Sequence, residues 1–413
     1  MDKRQRALLI LILGLLSAIG PFSIDMYLPG FPAIAVNLHT TVDYVAYSLS
    51  SFFIGICIGQ LLCGPLLDRF GRKKPLCIGL GLYIAASIGC SLSTSVEVLI
   101  GFRFVQALGG CVGMVAPNAI VRDVFPVEEN ANVFSLLILI LGVSPILAPT
   151  AGSYIISAFG WPVVFLVLAV VAAIILTAVI FWLNESKKPD PTFSLLPKPI
   201  LTGFVNVLKQ PQFYTYALAG AVASAGLFAY LAGSPFVFMN LYGVTEKQYG
   251  LIFSLIAAGL IGSSQLNNLI LKKYSSAQII RVVFFTQSAL GLLLVAGNVL
   301  AILNLYSTIL LMFLFLSCQG FTFPNAAALA MAPFSKSAGS ASALMGALQM
   351  GCGALASALV GLFFNGTTVP MAAIMAGCSL LGLTILLIGR KDIYLQANEA
   401  EVKEHELELI KKY

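Results

Sequence analysis

Residues 64–74 read Gly-Pro-Leu-Leu-Asp-Arg-Phe-Gly-Arg-Lys-Lys, a charged stretch between two apolar segments. The segment before it, residues 44–67, and the segment after it, residues 75–95, are each long enough to cross a bilayer as a helix. A short turn between two packed helices needs glycine where the backbones approach each other. The acid in the turn can cap a helix N-terminus or pair with the arginines. The stretch therefore predicts a tight loop between two membrane helices.

Apolar segments of this kind recur along the whole chain of 413 residues. Each has about 20 residues and almost no charge, and none alternates with the period of two that β-barrel strands show. The first segment lacks a small-residue cleavage site, so we expect a membrane helix there and not a signal peptide. The sequence predicts twelve membrane helices, at residues 7–27, 44–67, 75–95, 98–121, 132–158, 161–183, 213–238, 248–271, 277–300, 305–330, 341–363 and 370–388.

The overall composition agrees with a polytopic membrane protein. Of all residues 59% are hydrophobic and only 10% are charged, and the mean hydropathy is +0.95. An ordinary soluble domain has about a quarter charged residues, because its surface faces water. The composition therefore excludes a soluble enzyme, a nucleic-acid-binding protein and a disordered chain.

The basic residues predict the orientation in the membrane. With both termini in the cytoplasm, 21 of the 23 lysines and arginines fall in cytoplasmic segments. Lys247 falls on the outer side, and Arg103 falls inside a span. The positive-inside rule therefore supports this topology. The net charge of +6 reflects membrane orientation and predicts no nucleic-acid partner.

The chain divides into two halves that resemble each other. A shift of 207 residues superposes Pro117-Asn118-Ala119 on Pro324-Asn325-Ala326. Parallel repeats of this type occur in one transporter architecture. The predicted divisions are an N-terminal six-helix bundle at 1–183, a cytoplasmic linker at 184–212, a C-terminal six-helix bundle at 213–390 and a solvated cytoplasmic tail helix at 391–413.

The charged stretch at residues 64–74 resembles the signature loop of the major facilitator superfamily. On charge alone, it could be a positive-inside loop that happens to contain an acid. The resemblance covers the order of glycines, acid and bases, and it implies a cytoplasmic gate made by Gly64, Asp68, Arg69, Gly71, Arg72 and Asp123.

Two further stretches fit the same superfamily. Residues 99–110 contain Arg103-Phe-Val-Gln106-Ala107, which resembles the family's Arg-x-x-Gln motif linked to proton transfer. Residues 142–152 resemble the Gly/Pro-rich antiporter motif of the fifth helix, although Ala151-Gly152 stands where the family has two glycines. A kinked, closely packed helix explains the same prolines. The resemblance assigns the antiporter motif to Gly142, Pro145, Pro149 and Gly152.

Residues 25–29, Asp-Met-Tyr-Leu-Pro, resemble the Bcr/CflA subfamily of drug-resistance exporters. The resemblance implies an all-α fold of twelve transmembrane helices in two six-helix bundles, in the bacterial cytoplasmic (inner) membrane. It also implies a monomer that exchanges small drug-like molecules for protons, with the proton gradient as energy source and no cofactor. The sequence shows no nucleophile–base or metal-ligand cluster, so we expect no enzyme.

Asp25 and Arg103 are the charges that lie well inside the predicted spans. A charge in the membrane costs at least a few kcal/mol, so it marks a pathway or a proton site by default. Both lie roughly 5–9 Å inside the outer ends of their helices. A direct or water-bridged pair between them is one interpretation. Alternatively, Asp25 faces water at a helix end and Arg103 bonds neighbouring helices.

Polar side chains in the spans are candidates for the substrate cavity, although buried amides mostly bond other helices. With few fixed charges, such a cavity suits neutral or amphipathic compounds. Two alternatives to a drug exporter stay open: a proton-coupled exporter of a single metabolite (an amino acid, peptide or siderophore) and an uncoupled facilitator. The candidate cavity residues are Tyr27, Tyr47, Gln106, Asn118, Tyr230, Asn240, Gln319 and Asn325.

Overall fold

The computed structural model describes residues 3–190, 197–334 and 338–412. Within these ranges twelve helices are long and apolar enough to span a membrane, which confirms the predicted number. These helices are α1 (Lys3–Asp25), α3 (Val42–Phe70), α4 (Lys73–Ser91), α5 (Val96–Val124), α6 (Val127–Phe159), α7 (Pro162–Trp182), α9 (Pro211–Pro235), α10 (Glu246–Ile270), α11 (Ser276–Val299), α12 (Leu305–Met331), α13 (Ala338–Leu362) and α14 (Val369–Lys412).

Four shorter features were not predicted from the sequence. A 3₁₀ turn at Leu28–Gly30 and helix α2 (Phe31–Asn37) follow α1, and a π-helical turn at Phe236–Leu241 follows α9. Helix α8 (Pro197–Leu208) lies in the linker between the two halves. The tail predicted as a separate helix instead continues α14 without a break as far as Lys412.

The twelve spans place both chain ends on the same side of the molecule. We call this side, with the α3–α4 loop and the start of α9, the termini side. The far side carries the α1–α3, α4–α5 and α9–α10 connections. Lys336, which the sequence assigns to the termini side, lies outside the described residues.

Helices α1 and α3–α7 form the N-terminal bundle, in which small residues let helices approach closely. Helix α5 packs against both α3 and α4. A Cβ atom at Gly109 would lie 2.6 Å from the carbonyl oxygen of Gly79 and from the amide nitrogen of Tyr83 in α4. Both of those atoms belong to backbone and cannot move aside. Close packing of this kind holds membrane helices together where lipid removes the hydrophobic driving force.

Helices α9–α14 form the C-terminal bundle, in which α9 packs against α12, α13 and α14. Three of its helices begin with capping boxes, in which the cap side chain and the residue three positions later bond each other's backbone. These caps satisfy amide groups that a helix start leaves without partners. The cap residues are Thr245 for α10, Ser275 for α11 and Asn304 for α12.

The two bundles meet along two long seams. Helix α3 packs against α13, and α6 packs against α10. Ser50 Oγ donates a 2.8 Å hydrogen bond to Ser357 Oγ across the first seam. Ser254 Oγ donates a 2.7 Å hydrogen bond to the carbonyl oxygen of Ile146 across the second.

The two bundles share an apolar core on the far side, whereas part of the C-terminal bundle has its own core on the termini side. One continuous hydrophobic core runs from the N-terminal bundle through the far side into the C-terminal bundle. On the termini side the C-terminal bundle has a separate core, built around Phe213 and Phe284. Asn118 in α5 and Phe323 in α12, which lie toward the termini side, are exposed.

Replacing Gly109 with Ala is expected to destabilise the fold, because the new methyl group overlaps backbone atoms of α4. Overpacking of this type costs about 1–3 kcal/mol. Gly101 is the matched control: it lies in the same helix, and a Cβ there meets nothing within 4 Å. Alanine at 101 should leave stability unchanged or raise it through better helix propensity. Thermal denaturation of the detergent-solubilised variants, followed by size-exclusion chromatography, measures both. Equal midpoints for the two variants would contradict the packing described.

Candidate functional site

The Arg103 side chain is fully buried inside the N-terminal bundle. Its Nη1 donates a 2.6 Å hydrogen bond to Oε1 of Gln106, one turn further along α5. The guanidinium carbon lies 4.0 Å from the centre of the Phe52 ring and 4.3 Å from that of Tyr27. Cation–π contacts of this kind stabilise a desolvated charge by about 2 kcal/mol or more. Nε and Nη2 have no hydrogen-bond partner among the described residues.

A polar chain extends from Arg103 through the bundle. Gln106 Nε2 donates a 2.7 Å hydrogen bond to Ser87 Oγ in α4. The Tyr27 hydroxyl lies 3.2 Å from Ser48 Oγ in α3. Phe52, Ser87 and Ser48 were not predicted as site residues, because serines and phenylalanines are common in membrane helices. Only the folded structure shows that these three side chains lie around Arg103 and its partners.

Asp25, the last residue of α1, is buried beneath the far side. It forms no hydrogen bond or ion pair with the rest of the described structure. The groups within electrostatic range of its carboxyl are the phenols of Tyr230 in α9 and Tyr249 in α10, both in the C-terminal bundle. The Tyr249 hydroxyl lies 2.9 Å from Ser234 Oγ. Asp25 is therefore a solitary acid at the contact between the bundles.

Asp25 and Arg103 do not form a direct pair in this conformation. Arg103 bonds Gln106 and stacks on aromatic rings, whereas Asp25 faces the tyrosines of the other bundle. Similar depth in the membrane was the basis of the pairing hypothesis, and depth does not determine the direction in which a side chain points. Both residues are buried, Arg103 completely and Asp25 with 5% of its surface exposed.

The predicted antiporter motif lies where α6 contacts both α1 and α10. A Cβ atom at Gly152 would overlap the carbonyl oxygen of Met26, the residue that follows Asp25. The Thr150 hydroxyl lies 2.9 Å from Ser254 Oγ in α10. By contrast, Gly142 has only ordinary contacts with Ile261. Pro145 and Pro149 both lie inside this helix. Part of the motif therefore belongs to the seam between the bundles.

The predicted gate residues form a charge cluster on the termini side. Arg72 Nε donates a 2.8 Å hydrogen bond to Asp123 Oδ2, and Nη1 lies 3.1 Å from Asp68 Oδ1. Lys187 Nζ lies 2.7 Å from the same oxygen of Asp68. Burial lowers the pKa of Arg72, but the two acids outweigh this effect and raise the pKa above its ordinary value. The cluster joins α3, α5 and the start of the linker within the N-terminal half.

Glu185, which the sequence analysis did not single out, binds the start of α4. Its carboxylate accepts hydrogen bonds from the amides of Arg72 (2.6 Å) and Lys73 (3.1 Å). An acid at a helix N-terminus satisfies free amides and the helix dipole together. Gly71 adopts a φ of +82°, and a Cβ atom there would lie 2.8 Å from the Glu185 carboxylate. The sequence feature that could have indicated this role is an acid directly after the sixth span.

The remaining predicted residues are distributed over several places. Gly64 has open space around its Cβ position, and Arg69 lies in the last turn of α3. Tyr47 packs against Gly361 at the seam of α3 and α13, and Asn240 is exposed in the π-helical turn.

Two amides predicted for the cavity instead join helices of the C-terminal bundle. Gln319 Nε2 donates a 2.7 Å hydrogen bond to the carbonyl oxygen of Ala223 in α9. Asn325 Nδ2 donates one of the same length to Asn267 Oδ1 in α10. A shallow cleft nearby, lined by Ser224, Phe323 and Gln349 among others, faces the termini side.

Comparison with known proteins identifies the family. The family model described as Major Facilitator Superfamily matches residues 13–357. The chain belongs to this superfamily. A solved structure of a D-xylose–proton symporter has the same fold, with a TM-score of 0.71 and 13% sequence identity, over 92% of this chain and 97% of the symporter.

Similar sequences indicate the group within the superfamily to which the chain is related. The chain is 34% identical to an uncharacterized MFS-type transporter, YdgK, of Bacillus subtilis, over 92% of this chain and 94% of the relative. It is 30% identical to a bicyclomycin resistance protein homolog of Haemophilus influenzae, over 92% and 96%. It is also 30% identical to the multidrug resistance protein MdtL of Escherichia coli, over 89% and 92%. The predicted relationship to the drug-resistance exporters is confirmed, and the chain is a transporter and not an enzyme.

Replacing Glu185 with Gln is expected to weaken the cap of α4. Hydrogen bonds to a charged group contribute about 1.5–3 kcal/mol, so amide exchange at Arg72 and Lys73 should accelerate by about tenfold or more. Hydrogen–deuterium exchange on peptides that cover residues 70–76 measures this. The control is Glu97→Gln, which changes an exposed acid on the far side. Unchanged exchange in Glu185→Gln would show that the carboxylate does not hold these amides.

Proposed function

We propose that this transporter exports small drug-like molecules in exchange for protons, with Asp25 as the coupling acid. The observation that carries the proposal is the position of Asp25: a solitary buried acid at the contact that must separate when the far side opens. The phenols of Tyr230 and Tyr249, which lie within electrostatic range of its carboxyl, belong to the opposite bundle. A change in its protonation therefore acts directly on the contact between the bundles.

The physical argument rests on the cost of an isolated charge. A carboxylate without a partner is expensive in a dry interior, whereas a neutral carboxyl needs no counter-charge. In the proposed cycle, the conformation with the far side closed carries the proton across the membrane. Once the proton leaves toward the termini side, substrate binds. Opening of the far side then hydrates Asp25, a new proton binds there, and the substrate departs.

In this proposal the termini side is cytoplasmic, in keeping with the distribution of lysine and arginine. The location is the bacterial inner membrane, and the working unit is a monomer. The energy source is the proton gradient, with no other cofactor. The relatives named for bicyclomycin and multidrug resistance support a drug-like substrate.

We propose that Arg103 also belongs to the proton-coupling site. Its unpaired Nε and Nη2 are buried next to Tyr27, two residues beyond Asp25. Because Asp25 and Tyr27 lie at and just beyond the end of α1, a small rotation of this segment would move them together relative to Arg103. We propose that the charge cluster of Asp68, Arg72 and Asp123 belongs to the cytoplasmic gate and holds its N-terminal part together. The polar lining contains few fixed charges, which suits neutral or amphipathic substrates.

Asp25→Asn is expected to abolish proton-coupled export while leaving the fold intact, because the amide cannot bind and release a proton. A pump-deficient bacterium that expresses each variant is tested against a chemically mixed panel of compounds. Everted membrane vesicles then show whether addition of an exported compound releases protons. Glu97→Gln is the matched control, since it neutralises an exposed acid on the same side.

The wild type and Glu97→Gln should give resistance to several unrelated compounds and a proton flux, and Asp25→Asn should give neither at equal membrane expression. Full coupling in Asp25→Asn would overturn the assignment of this residue. A well-expressed wild type without resistance to any compound would overturn multidrug export and favour a single metabolite. Resistance without a proton flux would favour an uncoupled facilitator.

A further inference from the structure

The linker helix α8 (Pro197–Leu208) differs from the twelve spans in length and position. Its 12 residues measure about 18 Å, which is too short to cross about 30 Å of hydrocarbon. The helix packs against α9 and α13. A Cβ atom at Gly203 would lie 3.9 Å from Oγ of Ser340, in the first turn of α13. Helix α8 therefore lies at the termini-side edge of the C-terminal bundle, where the spans reach the membrane surface.

Two sides of α8 are apolar, and only one of them is covered by protein. Val207 is buried in the termini-side core of the C-terminal bundle, and Phe204 packs against that core. Leu201, Val205 and Leu208 recur at spacings of four and three residues, so they share the next side of the helix. All three are exposed, Leu201 with 58% of its surface. The second apolar side thus lacks a protein partner within the described part of the chain.

The third side of α8 is polar. Thr202 and Asn206, four residues apart, are exposed and follow the apolar side around the helix. Lys209, directly after the last residue of α8, is also exposed. A short helix with an exposed apolar side, a polar side and a base at its end is typical of helices that lie in the plane of the membrane interface.

The termini side of the C-terminal bundle carries positive charge with little acid to neutralise it. From residue 197 to residue 390 the sequence contains one acid, Glu246, which begins α10 on the far side. The next acids along the chain follow Arg390 in the projecting end of α14. In the N-terminal bundle, by contrast, Arg72 pairs with two acids. The described bases on the termini side of the C-terminal bundle are Lys209, Lys272, Lys273, Arg281 and Arg390.

We infer that α8 and these bases form a docking surface for anionic phospholipid of the termini-side leaflet. Leu201, Val205 and Leu208 enter the acyl chains, and the phosphate headgroups bind the bases. Charge complementarity selects this occupant, because a zwitterionic lipid brings no net charge to a surface that has an excess of bases. The bound lipid holds the linker beside the C-terminal bundle. The site is independent of proton coupling at Asp25.

The test uses purified full-length protein in liposomes, with a single tryptophan on α8 as reporter. Trp161→Phe and Trp182→Phe remove the two natural tryptophans, and Leu201→Trp places the reporter on the exposed apolar side. Bromine on an acyl chain quenches tryptophan on contact, so brominated phosphatidylglycerol and brominated phosphatidylcholine are compared at equal mole fractions. We expect the reporter to bind phosphatidylglycerol about fivefold or more tightly than phosphatidylcholine.

Two other reporter positions are the matched controls. Asn206→Trp, on the polar side of the same helix, should be quenched weakly by both lipids. Leu292→Trp, at an exposed position in the middle of α11, should be quenched equally by both.

Charge variants test the headgroup contact in the Leu201→Trp reporter. Lys209→Gln should remove most of the preference for phosphatidylglycerol, because one base near an anionic surface strengthens binding about fivefold. Lys247→Gln removes the same charge from an exposed residue on the far side and should keep the preference. Raising the salt concentration shortens the Debye length from about 10 Å at 0.1 M to about 3 Å at 1 M, and it should lower the preference without a mutation.

Equal binding of both lipids at Leu201→Trp, or a preference that survives both Lys209→Gln and high salt, would overturn the inference. Absence of quenching at Leu201→Trp would also overturn it and leave this side of α8 to a protein partner. Displacement of the brominated phosphatidylglycerol by millimolar inorganic phosphate would assign the bases to free phosphate and not to lipid.

Discussion

The positive charge of Arg103, sealed from water, organises the N-terminal half of the molecule. Every helix of that bundle except α6 takes part in its surroundings: Tyr27 follows α1, Phe52 lies in α3, and Ser87 reaches it from α4 through Gln106 of α5. The more distant ring of Phe165 comes from α7. A buried charge without such neighbours is too costly to keep. Among the described residues, Nε and Nη2 of this guanidinium have no hydrogen-bond partner, so the aromatic rings and Gln106 are its main contacts.

The two halves share a fold but differ in the polar and charged side chains that they carry. Asn118 and Asn325 occupy equivalent positions in the repeat, yet Asn118 is exposed toward the termini side and Asn325 is buried against Asn267. The N-terminal half holds the buried arginine and the acid at the far side. The C-terminal half contributes phenols, hydroxyls and apolar surface to the same contact. The solitary acid of one half therefore meets uncharged side chains of the other.

The number and type of the spanning helices could be predicted, because hydrocarbon demands about 20 apolar residues for each crossing and this demand is local in sequence. The signature loop predicted Asp68, Arg72 and Asp123 as neighbours, and they are in contact. The direction in which single side chains point could not be predicted: the Arg103 side chain stacks on aromatic rings and does not contact Asp25. Glu185 was missed because its partners are backbone amides that come close only after six helices have packed. Gln319 and Asn325 bond other helices of their own bundle, which shows that polarity within a span does not by itself indicate a cavity.

The length of α14 has a mechanical consequence. Its 44 residues measure about 66 Å, roughly twice the hydrocarbon thickness. Ile393 still packs against the core of the C-terminal bundle, so the first turn beyond the spanning part remains in contact with that bundle. The 22 residues of the spanning part, Val369–Arg390, are followed by a projection of about 33 Å. At that length, each degree of tilt of the bundle displaces the tip by about 0.6 Å. A tilt of the C-terminal bundle would therefore move the end of the tail farther than it moves the membrane-spanning part of α14.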